Sequence, residues 1–165
     1  MYNINDYVMH RKKGICQIKD IRSEDFCGTG KETYYIMRSV NDDSSMIYVP
    51  QSSHQIRDIM TKEQIEAVVN ETEHLEGQWI DDSRARASAF DKILRNGASS
   101  DILWLMKVLS IHKKEVESHG KKFYASDEKI LNMARKIITE EFSFSLGIGA
   151  EEVVPYILKI IENLS

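Results

Sequence analysis

Two hydrophobic rhythms divide the chain. Up to about residue 53 the apolar residues come in short runs: Tyr7-Val8-Met9, Gly14-Ile15-Cys16-Gln17-Ile18, Tyr34-Tyr35-Ile36-Met37 and Met46-Ile47-Tyr48-Val49. Turn-forming stretches separate them: Lys12-Lys13-Gly14, Cys27-Gly28-Thr29-Gly30 and Asn41-Asp42-Asp43-Ser44. Short β-prone runs between such punctuation predict strands, and four or five at regular spacing predict a small meander closing into a barrel. Pro50 ends the last strand, because proline cannot donate to a ladder. Gly28-Thr29-Gly30 reads as a hairpin tip rather than a phosphate loop, since no helix follows to offer its N-terminus.

After Ser53 the apolar spacing becomes helical. Thr61-Lys62-Glu63-Gln64 fits a capping box ahead of Ile65, Val68 and Val69. A second helix is expected from about Asp82 to Arg95, stopped by Gly97. Ser99 or Ser100 is placed to cap a third that ends at Gly120, and Ser126 a fourth that ends near Gly147. A fifth covers about 150–163, where Pro155 requires either a later start or a kink. Ile102-Leu103-Trp104-Leu105-Met106 is apolar almost all round, which marks the third helix as the central one and Trp104 as core. The expected class is α+β in two domains: a β domain over 1–53 and an all-α domain of about five helices over 54–165.

Composition adds little to this picture. At 165 residues, 42% hydrophobic and 29% charged, the chain has the make-up of a folded protein. No run approaches the ~20 apolar residues that cross a bilayer. Met1–Lys13 has no apolar signal core, so a cytoplasmic protein is expected. Cys16 and Cys27 are too few for a disulfide framework or a zinc site, and reduced thiols are expected. The histidines show no ligand spacing, so neither a metal nor a cofactor is expected.

Charge changes the picture more. The net charge is −4, yet residues 84–122 hold nine Lys and Arg against four Asp and Glu. Residues 57–83 hold two against eight, so the basic segment follows an acidic one. On a wheel of about 100° per residue that starts at Arg84, Arg95 falls near 20° and Lys92 near 80°. Ala87, Phe90 and Leu94 lie at about 240–300°, while Arg86, near 200°, borders the apolar face. Lys113 and Lys114 extend the basic surface along the third helix. A cationic helix face is a solvated surface as readily as a phosphate-facing one. Trp79 lies outside the periodicity, just ahead of these cations. It is either a core plug or an exposed ring that meets bases while the cations hold phosphates.

The order of these features resembles the CarD/CdnL family of bacterial transcription regulators. The N-terminal domain of that family is related to the polymerase-interaction domain of transcription-repair coupling factor. Asp6-Tyr7-Val8-Met9-His10 leading to Gly14-Ile15-Cys16-Gln17-Ile18 matches its opening strands. Tyr35-Ile36-Met37-Arg38 and Ile47-Tyr48-Val49-Pro50 match its later ones. Trp79, Arg84, Phe90-Asp91-Lys92-Ile93-Leu94, Lys113-Lys114, Ser126-Asp127-Glu128-Lys129 and Glu140-Glu141 follow in the family's order. The resemblance implies a Tudor/SH3-like β-barrel that docks on the RNA polymerase β subunit, and a helical domain that touches promoter DNA at the upstream edge of the bubble. It makes Trp79 a minor-groove wedge, with Arg84, Arg86, Lys92, Arg95, Lys113 and Lys114 as its DNA-facing cations. Here Ile80-Asp81-Asp82-Ser83 intervenes between the tryptophan and the first arginine, and Asp82 or Ser83 can cap the helix. For the polymerase the matching positions are Met46, Ile47 and Tyr48, with Arg22 and Arg38 nearby in sequence. Alternation puts Met46 and Tyr48 on the face opposite Ile47 and Val49.

No GxSxG, HExxH or P-loop sequence is present, and the pairs Asp42-Asp43 and Asp81-Asp82 fall in expected turns, so no enzyme is expected. The competing reading is a protein-only adaptor that binds polymerase, or another partner, and never touches DNA.

Overall fold

The strands form a single antiparallel sheet. They are β1 (Tyr7–His10), β2 (Gly14–Glu24), β3 (Glu32–Ser39), β4 (Met46–Pro50) and β5 (Ile56–Arg57), in the order β4-β3-β2-β1-β5. The computed structural model describes residues 1–26, 28, 30–74 and 79–162, without the side chains of residues 73, 74, 161 and 162. Cys27 and Thr29, and with them part of the expected Gly28-Thr29-Gly30 tip, lie outside the described residues, as does the end of the fifth helix at 163.

Val8, Cys16, Ile18, Tyr35, Met37 and Val49 make the core of the sheet, with Tyr2, Ile21, Ile47 and Ile56 packed around it. Ile18 and Ile21 serve the same core although their parity differs. The register slips between Ile18 and Asp20, and one extra residue restores the inward direction while bending the strand. The turn from β1 to β2 closes on His10. Its buried Nδ1 accepts the backbone N–H of Lys12 at 3.1 Å and of Lys13 at 3.2 Å, and Gly14 takes φ +70°.

The expected barrel is not closed. β4 and β5 are the two ends of the sheet, β4 paired with β3 and β5 with β1. Two residues of β5 supply too short a ladder to bridge the ends. The chain divides into compact units at Met1–Ile59 and Met60–Ser165. The first unit extends past residue 53 because Ile56 and Arg57 pair with His10 and Met9.

The helical unit comprises α1 (Lys62–His74), α2 (Ser83–Asn96), α3 (Ser99–Ser118), α4 (Ala125–Leu146), a 3-10 turn at Ala150–Glu152 and α5 (Val153–Glu162). The capping box of α1 is reciprocal. Gln64 N–H reaches Thr61 Oγ1 at 3.3 Å, and Thr61 N–H reaches Gln64 Oε1 at 2.8 Å. Asp82 caps α2 by accepting Ala85 N–H at 2.7 Å. Neither Ser99 nor Ser126 is an N-cap. Ala98 precedes α3, with its N–H bonded to Asp101 at 2.9 Å, and Tyr124 precedes α4. α5 starts later than 150, which leaves Pro155 in its first turn, where no intrahelical N–H is needed.

α3 carries the apolar run 102–106, but α4 is the helix that meets all the others. Ile130, Leu131, Ala134, Ile138 and Phe142 of α4 enter a core shared with Ile65, Val69, Phe90, Leu105, Leu109 and Val153. Trp104 is half-buried against it. Glu141, fully buried on α4, accepts the N–H of Met60 at 3.1 Å and so anchors the start of this unit.

Candidate functional site

Trp79 stands in extended chain ahead of α2, half-buried against the helical core. Three groups hold its ring. The Phe90 ring meets it edge-on at 6.2 Å, the His112 imidazole of α3 stacks with centroids 3.9 Å apart, and the Arg86 guanidinium carbon lies 4.5 Å from its centroid. The ring is therefore neither a plug sealed in the core nor a free side chain.

Arg86 explains how this segment keeps its shape. Its side chain is 2% exposed, and it forms a bidentate pair with Asp127 of α4, which is 0% exposed. Nε donates to Oδ1 at 3.1 Å and Nη2 to Oδ2 at 2.6 Å. Nη1 donates to the backbone carbonyls of Ile80 at 2.8 Å and Asp81 at 3.1 Å. One planar fork thus ties residues 80–81 to α4 and forms a surface beneath Trp79. The wheel put Arg86 beside the apolar face, and burial follows from that position. An expected DNA contact is here an internal brace, too enclosed to reach a phosphate itself.

The other expected cations divide by availability. Arg84, Lys92 and Lys114 are exposed, with no ion pair or side-chain hydrogen bond among the described residues. Arg95 is exposed and bonds Asp91 one turn back at 2.6 Å, a solvent-screened surface pair that a phosphate can displace. Lys113 is half-buried and held by both oxygens of Glu128, at 2.8 and 2.9 Å, so its charge is already engaged. Of the two carboxylates between Trp79 and Arg84, Asp82 is committed to its cap.

Sequence reasoning missed Asp127, His112 and Tyr124. Asp127 sits 41 positions from Arg86 and looks like an ordinary first-turn acid. A buried arginine demands a carboxylate, but no local signal says which. His112 falls at an unremarkable helical position. Tyr124, next to a buried Phe123, is 60% exposed, with its ring 5.7 Å from the Arg86 guanidinium.

On the sheet, β4 is an end strand with β3 as its one strand neighbour among the described residues, which leaves its outer edge open to a further strand. Met46 and Tyr48 are exposed, while Val49 is buried and Ile47 is half-buried on the core. Phe26, also unforeseen, is 58% exposed and lies edge-on to Tyr34 at 4.9 Å and to Tyr48 at 5.7 Å. Arg22 is exposed and paired with Asp20 at 2.7 Å, and half-buried Arg38 reaches Asp43 at 3.0 Å. Among the described residues no group of three or more His, Cys, Asp or Glu is placed to hold a metal, and no helix is long and apolar enough to cross a membrane.

Comparison with known proteins bears on the first unit. No curated protein matches the chain. Residues 2–60 match the family model described as the CarD-like/TRCF RID domain. That span covers nearly all of the sheet unit, from Tyr2 on its core to Met60, where the helical unit begins two residues ahead of α1. The family is one of protein-interaction domains that engage RNA polymerase, not of enzymes. Over residues 2–60 the N-terminal unit of this chain, an open five-stranded sheet with β4 at its edge, thus matches the CarD-like/TRCF RID domain family.

Proposed function

We propose that the chain is a bacterial transcription regulator that docks on the RNA polymerase β subunit through its N-terminal unit. Its helical unit then contacts promoter DNA at the upstream edge of the bubble and stabilises the open complex, for example at ribosomal RNA promoters. The observation that carries the proposal is the RID domain at residues 2–60. Its free β4 edge suits strand addition, in which backbone bonds give affinity and flanking side chains give selectivity. Tyr48 and Met46 are the anchors, with Arg22 and Arg38 beside them in the sheet.

For the DNA, Arg84, Lys92, Arg95 and Lys114 neutralise phosphates and position the helix without reading sequence. Trp79 meets the duplex where it is already opening, the place where unstacking is least unfavourable. Arg86 acts through Trp79, not on the DNA. Polymerase brings the two together, so weak intrinsic DNA affinity is sufficient and a net charge of −4 is tolerated.

A protein-only adaptor is the second reading. The half-buried state of Trp79 and the commitment of Arg86 and Lys113 to internal partners favour it. The triple substitution Arg84→Glu, Lys92→Glu, Arg95→Glu discriminates. A DNA-contacting regulator keeps its polymerase affinity and loses its extension of open-complex lifetime. An adaptor keeps both.

A further inference from the structure

Trp79 already has its stacking partners. His112 lies 3.9 Å from its ring centroid and the Arg86 guanidinium 4.5 Å. To enter a base step it must give up at least one of them. Tyr124 is held less, by one ring contact among the described residues where Trp79 has three. It shares the Arg86 guanidinium with Trp79, at 5.7 Å, so the two rings belong to one cluster. It is 60% exposed, and as the residue before α4 it makes no side-chain capping bond.

The surrounding charge favours a polyanion. Lys121 and Lys122 lie three and two positions before it and are exposed, as is Lys129 one turn into α4. Two of the nearby carboxylates are neutralised, Asp127 by Arg86 at 2.6 Å and Glu128 by Lys113 at 2.8 Å. An open aromatic face flanked by free cations, beside a braced tryptophan, is the arrangement that single-stranded nucleic acid uses: bases stack on the ring while cations follow the backbone. We infer that Tyr124 is the ring on which an unpaired base of the melted promoter strand stacks, with Lys121 and Lys122 on the adjoining phosphates. This rests on the regulator reading above and adds to it a second aromatic residue and the strand state that it recognises.

The test compares the full chain with Tyr124→Phe and Tyr124→Ala, each bound to cognate polymerase, in open-complex lifetime on a ribosomal-RNA-type promoter. Polymerase affinity and thermal midpoint are measured alongside. The phenylalanine variant is expected to behave as wild type, because stacking needs the ring and not the hydroxyl. The alanine variant is expected to lose about fivefold or more of the lifetime, with unchanged polymerase affinity and folding. Full lifetime in Tyr124→Ala, with wild type extending it over polymerase alone, overturns the role of Tyr124 and leaves the regulator reading standing. No extension by wild type overturns that reading, and this inference with it. A photo-crosslinker in place of Tyr124 gives a second readout. Capture of promoter DNA near the bubble edge is expected, and capture of polymerase alone overturns the assignment.

Discussion

At the scale of single residues, Arg86 and His10 carry the clearest consequences. Arg86 and Asp127 are buried together, so removing either leaves an unpaired charge in the core. Arg86→Met and Asp127→Asn should each lower stability by about 3 kcal/mol or more, read as a shift in denaturant midpoint. The paired substitution Arg86→Met with Asp127→Leu should recover much of that loss, and it should still fail to extend open-complex lifetime, because residues 80–81 lose their clamp. His10 predicts a pH effect. Burial is the main cause that pushes its imidazole below its ordinary value near 6.5, opposed by a hydrogen bond to the Gln55 side chain and assisted by Lys13 and Lys12. The unfolded chain then takes up this proton at a pH where the folded chain does not. The contribution of His10 is complete above about pH 6.5 and declines as pH falls through that value toward the lower folded one. His10→Asn, which keeps an acceptor for the turn and cannot titrate, should flatten the decline in thermal midpoint between about pH 7 and 5. The wheel placed Arg86 correctly at the edge of the apolar face. It could not name Asp127 as the partner, because pairing across 41 positions is a property of helix packing and not of spacing.

At the scale of elements, boundaries set by local chemistry were readable and closure was not. The α1 capping box, Asp82 ahead of α2 and glycines at the ends of α2 and α4 all act through neighbours within four residues, and all were visible in the sequence. Alternation in β4 likewise put Met46 and Tyr48 on the face opposite Ile47 and Val49, and the second face is the one turned to the core. Barrel closure depends on whether the first and last strands of the sheet meet, and the two-residue β5 decides that against expectation. The serines expected to cap α3 and α4 were displaced because Asp101 satisfies the N–H of Ala98 instead, and because the chain turns at Tyr124 after burying Phe123. Two stability predictions belong here. Asp82→Ala should cost about 1 kcal/mol, the usual value of an N-cap carboxylate. Gly147 closes α4 at φ +65° with open space around its missing Cβ, so Gly147→Ala should cost about 1 kcal/mol from backbone strain alone. Urea midpoints measure both.

At the scale of the whole molecule, the uneven charge bears on how the proposed regulator would meet DNA. Nine cations over residues 84–122 are offset by acidic segments on either side, so the chain has no strong positive field at long range. Free in solution it should bind promoter DNA weakly. With polymerase present, the affinity for DNA should fall with salt, and removal of Lys92 or Arg84 should reduce that slope by about one each. Composition made the basic segment legible from the start. Which of its cations are open and which are spent inside the fold emerges only from packing, as Lys113 and Arg86 show.

The fork of Arg86 has a further meaning for speed. Residues 80–81 have no regular structure of their own, and such a segment usually orders only when its target arrives. Here the two carbonyls are fastened and the ring is seated while the chain folds, before any promoter is near. The entropy of arranging the site is thus met at synthesis, not at each encounter. On the proposed regulator reading, arriving preorganised is what lets the chain engage a short-lived bubble.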